Sequence, residues 1–283
     1  FQAYVTSDVL IGAGLSSSAA FEVIVGTILS GMFNDGKINP VVIAQAGQFA
    51  ENVYFGKPCG LMDQMACSVG GMVHIDFKNP EEPAVEKVPS DFEAYQYSLC
   101  IVDTKASHAD LTDDYAQIPA DMKKVAKFFK KDFLREVPEE EFYDQISAMR
   151  GLLGDRPVLR AIHFMEEETR VQKEVDSLRA GDFKEFLELV KESGNSSFKY
   201  LQNVYTTNDL NQQAVSVALA GSDRILGKHG VCRVHGGGFA GTIQAFVEND
   251  FVEEYKRRMD KVFGHGSCQV LKVRQKGGVK VLG

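Results

Sequence analysis

Gly12, Ala13, Gly14, Leu15, Ser16, Ser17 and Ser18 open the run GAGLSSSAA, a glycine-serine loop ahead of an apolar helical stretch. Such a loop turns backbone N–H groups toward phosphate oxygens. Glycine removes the Cβ barrier to close approach, and a helix N-terminus carries free donors and partial positive charge. The three serine hydroxyls can cap the helix, bind phosphate or ligate Mg²⁺. Neither G-x-x-x-x-G-K-[ST] nor G-x-G-x-x-G fits the spacing, so a nucleotide held here would lie in another class of phosphate loop. A second feature, Gly60-Leu61-Met62-Asp63-Gln64, sets an acid in an apolar stretch just after the turn Gly56-Lys57-Pro58-Cys59-Gly60. An unpaired buried carboxylate is costly. Asp63 therefore either caps a helix or orients and deprotonates a substrate hydroxyl, as phosphoryl transfer requires. Upstream of it, Glu51 either lies exposed on its helix or shares Mg²⁺ with a loop serine. The third feature is His235-Gly236-Gly237-Gly238-Phe239-Ala240-Gly241-Thr242. Its glycines either make a wide turn or let backbone pass very close to a ligand or another loop.

Elements must hold these positions. Phe1–Ile11 is rich in β-formers and reads as a strand entering the loop, followed by a helix over Ser16–Phe33. Asn39-Pro40 opens a second helix to about Phe55, with Pro40 near N1. The segment Leu61–Val69 is apolar, and Met72–Phe77 reads as a strand. Lys78–Pro89 is rich in Pro and Glu and reads as a surface connector, which puts a boundary near Ser90. Beyond it lie a strand, Tyr97–Thr104, and helices over Asp121–Leu134, Glu139–Leu153, Pro157–Ala180, Asp182–Ser193 and Asp209–Leu226. Asp182 with Glu185 makes a capping box, and Gly181 and Gly194 stand where helix-ending glycines belong. The end of the chain reads β-α-β: Val231–His235, Thr242–Val247, a helix capped by Asp250, and Ser267–Arg274. The pattern is α+β, with strands at both ends of a helical insert.

The chain has 283 residues, 44% of them hydrophobic and 25% charged, with a formal charge of −8. It can bury a sizeable core as two domains or one large one. The negative charge argues against a nucleic-acid binder. Lys123, Lys124, Lys127, Lys130 and Lys131 are interleaved with Val125, Phe128, Phe129, Phe133 and Leu134 and read as one solvated helix face. Five scattered cysteines, never spaced C-x-x-C, fit free thiols in a reducing compartment, here the cytoplasm. No histidine pattern suits a transition metal, and no apolar run is long enough to span a bilayer. The chain starts at Phe1 inside a strand-like run, so an upstream segment is expected to have been removed.

Taken together, GAGLSSSAA, CGLMDQ about forty residues on, and HGGGFAGT near the C-terminus resemble the motifs of the GHMP small-molecule kinases, and among them those of the galactokinases. Connecting details agree: Ala50-Glu51-Asn52 before the Asp turn, Gly-Gly-x-x-His-Ile-Asp at 70–76, and Ile101-Val102-Asp103-Thr104 before Ser107-His108. The resemblance spans essentially the whole chain. It implies a two-domain α+β GHMP kinase-like fold with its N-terminal part truncated. Residues 1–90 would be the remainder of the N-terminal ATP- and substrate-binding domain. Residues 91–283 would be a C-terminal ferredoxin-like domain with a helical insert. By resemblance, Gly12 to Ser18 would cradle the ATP phosphates, and Ser18, with Ser17 beside it, would hold Mg²⁺ together with Glu51. Asp63 would face the sugar's anomeric hydroxyl as the catalytic base. Gly60 and Tyr115 would contact the sugar, and Gly236, Gly237 and Gly238 would support the phosphate loop and the substrate pocket.

The implied activity is phosphorylation of galactose by ATP to galactose 1-phosphate, with small-molecule sugar and ATP as partners and neither nucleic acid nor membrane. Two departures bear on it. After Tyr115 the galactokinases commonly continue with a basic pair, whereas Ala116-Gln117-Ile118-Pro119 follows here. The family's first motif, with an Arg that assists transfer and acidic and His residues that hold galactose, is absent. Loss of such an Arg typically lowers phosphoryl transfer by about 10³-fold or more, so the chain by itself is expected to be impaired. Three other readings stay open: another GHMP kinase acting on N-acetylgalactosamine, arabinose or a non-sugar alcohol, a non-catalytic sensor of galactose and ATP, or a stable fragment without binding of its own.

Overall fold

The computed structural model describes residues 1–9, 15–56, 59–79, 81–106, 111–239 and 241–281. Its contacts separate into two compact units, one of Phe1–Ser90 with Lys272–Gly283 and one of Asp91–Leu271. Among the described residues no helix is long and apolar enough to cross a membrane.

The first unit is built on three helical segments. Helix α1 (Ser17–Phe33) is followed by α2 (Pro40–Phe49), in which Pro40 takes N1 and the Asn39 side chain accepts from the Val41 N–H. Instead of continuing as α-helix to Phe55, the chain widens into a π-helical turn, Ala50–Tyr54. Helix α3 (Met62–Val69) comes next, then β1 (Met72–Asp76) paired antiparallel with β2 (Ala84–Val88). Ala44, Leu61 and Met65 form the small buried core between α2 and α3, with Ile75 and Val85 of the hairpin against it. The end of the chain closes this unit: the Gly71 N–H donates to Arg274 O at 2.7 Å, and Lys87 Nζ to Gln275 O at 3.0 Å. Gly277 must be glycine there, since a Cβ would stand 1.9 Å from Ser68 O.

Two expectations fail in this unit. Phe1–Val9 forms no strand. Its β-formers have no ladder partner among the described residues, and a lone extended segment leaves its backbone groups to water. Leu10 and Ile11 lie outside the described residues. The connector at 78–89 contains β2, whose residues become a strand only because β1 lies alongside them.

In the second unit, β3 (Tyr97–Asp103) is the first strand of a four-stranded sheet. Helix α4 (Thr112–Phe128) and a 3₁₀ turn (Leu134–Glu136) follow, then α5 (Glu139–Asp144), α6 (Ile146–Leu153), α7 (Asp155–Ala180) and α8 (Phe183–Ser196). A second π-helical turn, Ser197–Leu201, leads to α9 (Ala214–Leu226), β4 (Gly230–Val234), β5 (Thr242–Glu248), α10 (Val252–Phe263) and β6 (Cys268–Leu271). The strand order is β4-β5-β3-β6, antiparallel throughout, the ferredoxin-like βαββαβ arrangement with α4 to α9 in its first crossover. Cys100, Val102, Ile243, Ala245, Val247, Tyr255 and Met259 bury one face of the sheet against α9 and α10. Phe92, Phe183, Phe186 and Phe246 fill the space between the sheet and α8, with Tyr95 stacked on Phe183 at 4.6 Å. All five cysteines are free.

Helix boundaries differ from expectation for identifiable reasons. Helix α4 begins at Thr112, not Asp121, and carries Pro119 inside it. The backbone hydrogen bond lost at Pro119 is offset by the anchoring of Asp121, which is fully buried. It accepts from Lys124 (2.8 Å), Arg156 (2.8 Å) and Arg160 (2.9 Å). The expected helix over 139–153 breaks at Gln145 into α5 and α6. Helix α9 starts at Ala214, later than Asp209. Gly194 does not end α8 but lies within it, against Arg233, whose Cβ would stand 2.7 Å from a Cβ at Gly194. Asp250 caps nothing, because a 3₁₀ turn precedes α10 and Phe251 holds its N-cap position. Gly181 (φ 73°) and the Asp182 cap on the Glu185 N–H are as expected.

A polar cluster lies where α7, α8 and β4 meet. His163 bonds Ser196 at 2.9 Å, Arg233 donates to Ser193 at 2.7 Å, and Glu167 accepts from both Arg170 and Ser193. Glu174 Oε1 is buried there without a hydrogen-bond partner among the described residues. Burial, opposed by Arg233 and Arg170 and reinforced by Glu167, pushes its carboxyl up from 4.5 to about 7. A raised carboxyl holds its proton more tightly in the folded chain. Its contribution is therefore full below about pH 4.5 and lost as pH rises through about 7. Glu174→Gln is expected to raise stability at pH 8 by roughly 3 kcal/mol at most, and by nothing at pH 4. Urea unfolding of both proteins at the two pH values checks this, and an equal effect at both would refute it.

Candidate functional site

The described part of the phosphate loop lies at the start of α1. Ser16 occupies the N-cap position with left-handed dihedrals (φ 54°, ψ 47°), and its side chain makes no capping hydrogen bond. The left-handed region is unfavourable for a residue with a Cβ by roughly 1–2 kcal/mol, and such positions concentrate where a ligand is held. Of the roles open to the serines, capping of α1 is not the one Ser16 takes. Leu15, Ser16 and Ser17 are half-buried and Ser18 is exposed. Gly12, Ala13 and Gly14 lie outside the described residues.

Asp63 does not cap α3 either. Leu61 takes the N-cap position, and Asp63 stands exposed in the first turn. An acid there is favoured by the positive end of the helix. Its neighbourhood includes α1. Burial, and after it the charges of Asp63 and of Glu22 on α1, push the Cys67 thiol of α3 up from its ordinary value. Gly60, just before α3, is exposed, and a Cβ there would meet nothing within 4 Å. That leaves open space on the approach to Asp63.

Glu51 is buried, 5% exposed, in contrast to the reading of an ordinary exposed helix acid. The π-helical turn carries it, and such turns are often found at functional sites. Gln64 Nε2 donates to Glu51 Oε2 at 3.1 Å and to Glu22 Oε2 at 3.0 Å, so one amide joins α1, the turn and α3. Gly47 lies against this junction: a Cβ there would be 3.2 Å from Glu22 Cβ and Oε2. Burial first, then Glu51, pushes the nearby Cys59 thiol up to about 11, which keeps it protonated at neutral pH.

The same turn fixes the approach to Asp63. Asn52 Oδ1 accepts the Cys59 N–H at 2.7 Å while its Nδ2 donates to Cys59 O at 3.4 Å, and Gln48 Nε2 donates to that carbonyl at 3.2 Å. Asn52→Ala removes both contacts to one residue. Since these bonds are exposed, the expected loss of stability is only about 1 kcal/mol. The turn before Gly60 is released, however, and faster amide exchange at Cys59 and Gly60 by NMR checks this.

The residues expected to bind Mg²⁺ offer hard oxygen donors, the Ser18 hydroxyl and the Glu51 carboxylate. Among the described residues no group of three or more His, Cys, Asp or Glu is arranged to hold a metal by itself.

In the second unit the glycine loop is packed, not merely turned. Gly236 and Gly238 have φ of 60° and 83°. A Cβ on Gly238 would stand 1.8 Å from Asn203 O, and one on Gly237 2.6 Å from the Tyr115 ring. The Phe239 N–H donates to Asn203 O at 2.6 Å, the Tyr115 hydroxyl to Gly238 O at 3.0 Å, and Thr104 Oγ1 to Gly241 O at 2.7 Å. Tyr115, 36% exposed, also sets its ring edge-on to Phe239. Gln117, where the resemblance expects a basic stretch, accepts instead from Arg156 at 3.0 Å. No motif or spacing signals Asn203. Glu22 and Gln64 sit beside motif residues, but their convergence is visible only in the fold.

Known proteins bear on this arrangement. The sequence profile of the GHMP kinases N terminal domain matches residues 1–71. The galactokinase of Thermotoga maritima is 32% identical over 271 residues, covering 92% of this chain and 71% of that protein. The galactokinase of Glaesserella parasuis is 30% identical over 252 residues, 89% of this chain and 62% of its own length. The chain thus spans only about three fifths of that relative and of those from Actinobacillus pleuropneumoniae. Among solved structures, Lactococcus lactis galactokinase complexed with galactose superposes with a TM-score of 0.77 at 23% identity, covering 97% of this chain and 69% of that one. Mevalonate kinase from L. major in complex with R-mevalonate superposes at 0.55 with 14% identity, over 92% and 66% of the two chains. At these identities the superpositions speak for the fold. The sequence relationship, carried along 71% of the Thermotoga protein's length, shows that the chain belongs to the galactokinase family of GHMP kinases.

Proposed function

We propose that this chain transfers the γ-phosphoryl group of ATP to the anomeric hydroxyl of galactose, giving ADP and galactose 1-phosphate. The observation that carries the reading is the composition of the first unit. One compact unit holds the uncapped serine-rich start of α1, a buried Glu51 on a π-helical turn, and an exposed Asp63 with open space before it. In this reading Asp63 orients the hydroxyl and takes its proton as the oxygen bonds to the γ-phosphorus and the bond to ADP breaks. Backbone donors from Gly12 to Ser18 hold the phosphates and stabilise the charge that develops on them. Ser18 and Glu51 would hold Mg²⁺, which when bound neutralises phosphate oxygens. Gly60 lines the sugar side, and Gly236 to Gly238, braced by Tyr115 and Asn203, support the loops around the substrates. Free thiols support a reducing compartment, the cytoplasm, as the place of action.

A second substrate reading has a specific observation behind it. Tyr115 donates its hydroxyl to the glycine loop, and Gln117 accepts from Arg156 where galactokinases commonly carry a basic pair, so a related sugar such as N-acetylgalactosamine or arabinose stands beside galactose as a reading. Coupled ADP release over a panel of these sugars tests both. Galactose is expected to give the highest kcat/KM. Equal rates across the panel would remove the galactose assignment, and tight binding of sugar and nucleotide without ADP release would make the chain a sensor.

A further inference from the structure

We propose that Gln64 is a positioning residue that fixes the rotation of α3, and with it the direction of the Asp63 carboxylate, by donating to acids on two other helical segments at once. The inference rests on the reading of Asp63 as the catalytic base. Consecutive residues on a helix point about 100° apart, and here the pair divides between the two environments. Asp63 is exposed, while Gln64 is 1% exposed. Nε2 carries two hydrogens and has two carboxylate acceptors, Glu22 Oε2 at 3.0 Å on α1 and Glu51 Oε2 at 3.1 Å on the π-helical turn, with Cys59 Sγ at 3.6 Å beside them. A neutral amide is the group that can donate twice here without adding charge. Glutamate would bring a third carboxylate, and methionine would fill the volume with no donor.

The other end of the amide argues against simple packing. Gln64 Oε1 is buried without a hydrogen-bond partner among the described residues. Leaving such an atom unpaired is unfavourable, so an apolar side chain would suit the space better if filling it were the only task. The orphaned oxygen is the counterpart of aiming both hydrogens at Glu22 and Glu51. Gly47 supplies the room, because a Cβ at that position would also press on Gln64 Cγ at 3.4 Å. A rotation of α3 would swing Asp63 away from the hydroxyl it serves. It would also move Cys67, whose thiol lies under the charges of Asp63 and Glu22, and so gives a readout independent of turnover.

The test compares Gln64→Met and Gln64→Glu with the unsubstituted chain by three measurements. These are galactose-dependent ADP release, calorimetric binding of Mg²⁺ with a non-hydrolysable ATP analogue, and the rate of Cys67 alkylation resolved by peptide mass spectrometry. In Gln64→Met, kcat is expected to fall by about 10- to 100-fold, the loss that misplacing a reacting group by about 1 Å produces. KM for ATP and analogue binding, which Gln64 reaches only through Glu51, should change by much less than kcat. Alkylation of Cys67 should change by about fivefold or more as its neighbouring charges move. Gln64→Glu should show the larger effect in both. Unchanged kcat with unchanged Cys67 reactivity would overturn the proposal, as would losses of turnover, analogue binding and melting temperature in one common proportion. If the unsubstituted chain binds the analogue but releases no ADP with any sugar, the impairment expected without the family's first motif is complete in this chain. The Cys67 rates still decide whether Gln64 fixes α3.

Discussion

Asp63→Asn is expected to lower galactose-dependent ADP release by about 10²- to 10⁴-fold, the span by which a positioned general base accelerates a proton transfer. The substitution keeps the shape of the side chain and removes its capacity to accept the hydroxyl proton. Asp63 is exposed and Leu61, not Asp63, holds the N-cap position of α3, so among the described residues its charge takes no part in a core hydrogen bond. Melting temperature should therefore stay within a degree or two of the unsubstituted chain, since exposed substitutions usually change stability by less than about 0.5 kcal/mol. Binding of the ATP analogue, which the proposed function assigns to the loop before α1, should also be preserved. The informative pattern is kcat falling while both binding constants hold. A variant that retained a tenth or more of the turnover would remove Asp63 from the role of base.

Asp121→Ala carries the largest expected loss of stability. The side chain is completely buried and accepts from Lys124, Arg156 and Arg160, of which Arg160 is itself 3% exposed. Removing the carboxylate leaves the Arg160 guanidinium inside the second unit with Leu201 O as its remaining described acceptor. Breaking a buried pair in this way destabilises by about 3–5 kcal/mol, which urea unfolding monitored by circular dichroism measures directly. Lys124→Ala is the control. That ammonium is half-exposed, and an exposed pair contributes about 0–1 kcal/mol. The pH dependence follows from the same contacts. Burial alone would raise the Asp121 carboxyl, but hydrogen bonds from Lys124 and Arg156 outweigh it and hold the carboxyl below its ordinary 3.8. Its contribution is therefore complete above about pH 4 and disappears as pH falls through the lowered value. An acid-unfolding midpoint unchanged in Asp121→Ala would contradict this account.

What could be read in the sequence was local. Asp182 and Gly181 bracket a helix end and a helix start with side-chain and backbone chemistry that acts within a few residues, and the structure keeps both. The motif residues also stood out, because serine, glycine and acid in such runs are poor core formers. Partners distant in sequence escaped. Val85 and Val88 form a strand only when Ile75 and Met72 pair with them, so 78–89 resembled a connector. The helix read from Asp121 begins at Thr112 and runs through Pro119, and Asp121 is anchored to Arg156 and Arg160, more than thirty residues on. Glu51 resembled a surface residue because an α-helical reading cannot show a π-helical turn that brings it inward to Gln64. Gly194 looked like a helix end because its reason, the closeness of Arg233, lies on another element.

The return of the last residues to the first unit has a bearing on biosynthesis. Arg274 O accepts the Gly71 N–H, Gln275 O accepts from Lys87, and Gly277 lies against the backbone of Ser68. Residues 91–271 make up the whole second unit and emerge from the ribosome before these contacts can form. Translation thus delivers a finished helical and sheet unit while the segment carrying Glu51 and Asp63 still lacks its closing strap. Domains generally fold as units in the order their sequences are completed. The segment carrying Glu51 and Asp63, although made before the second unit, therefore closes only after it.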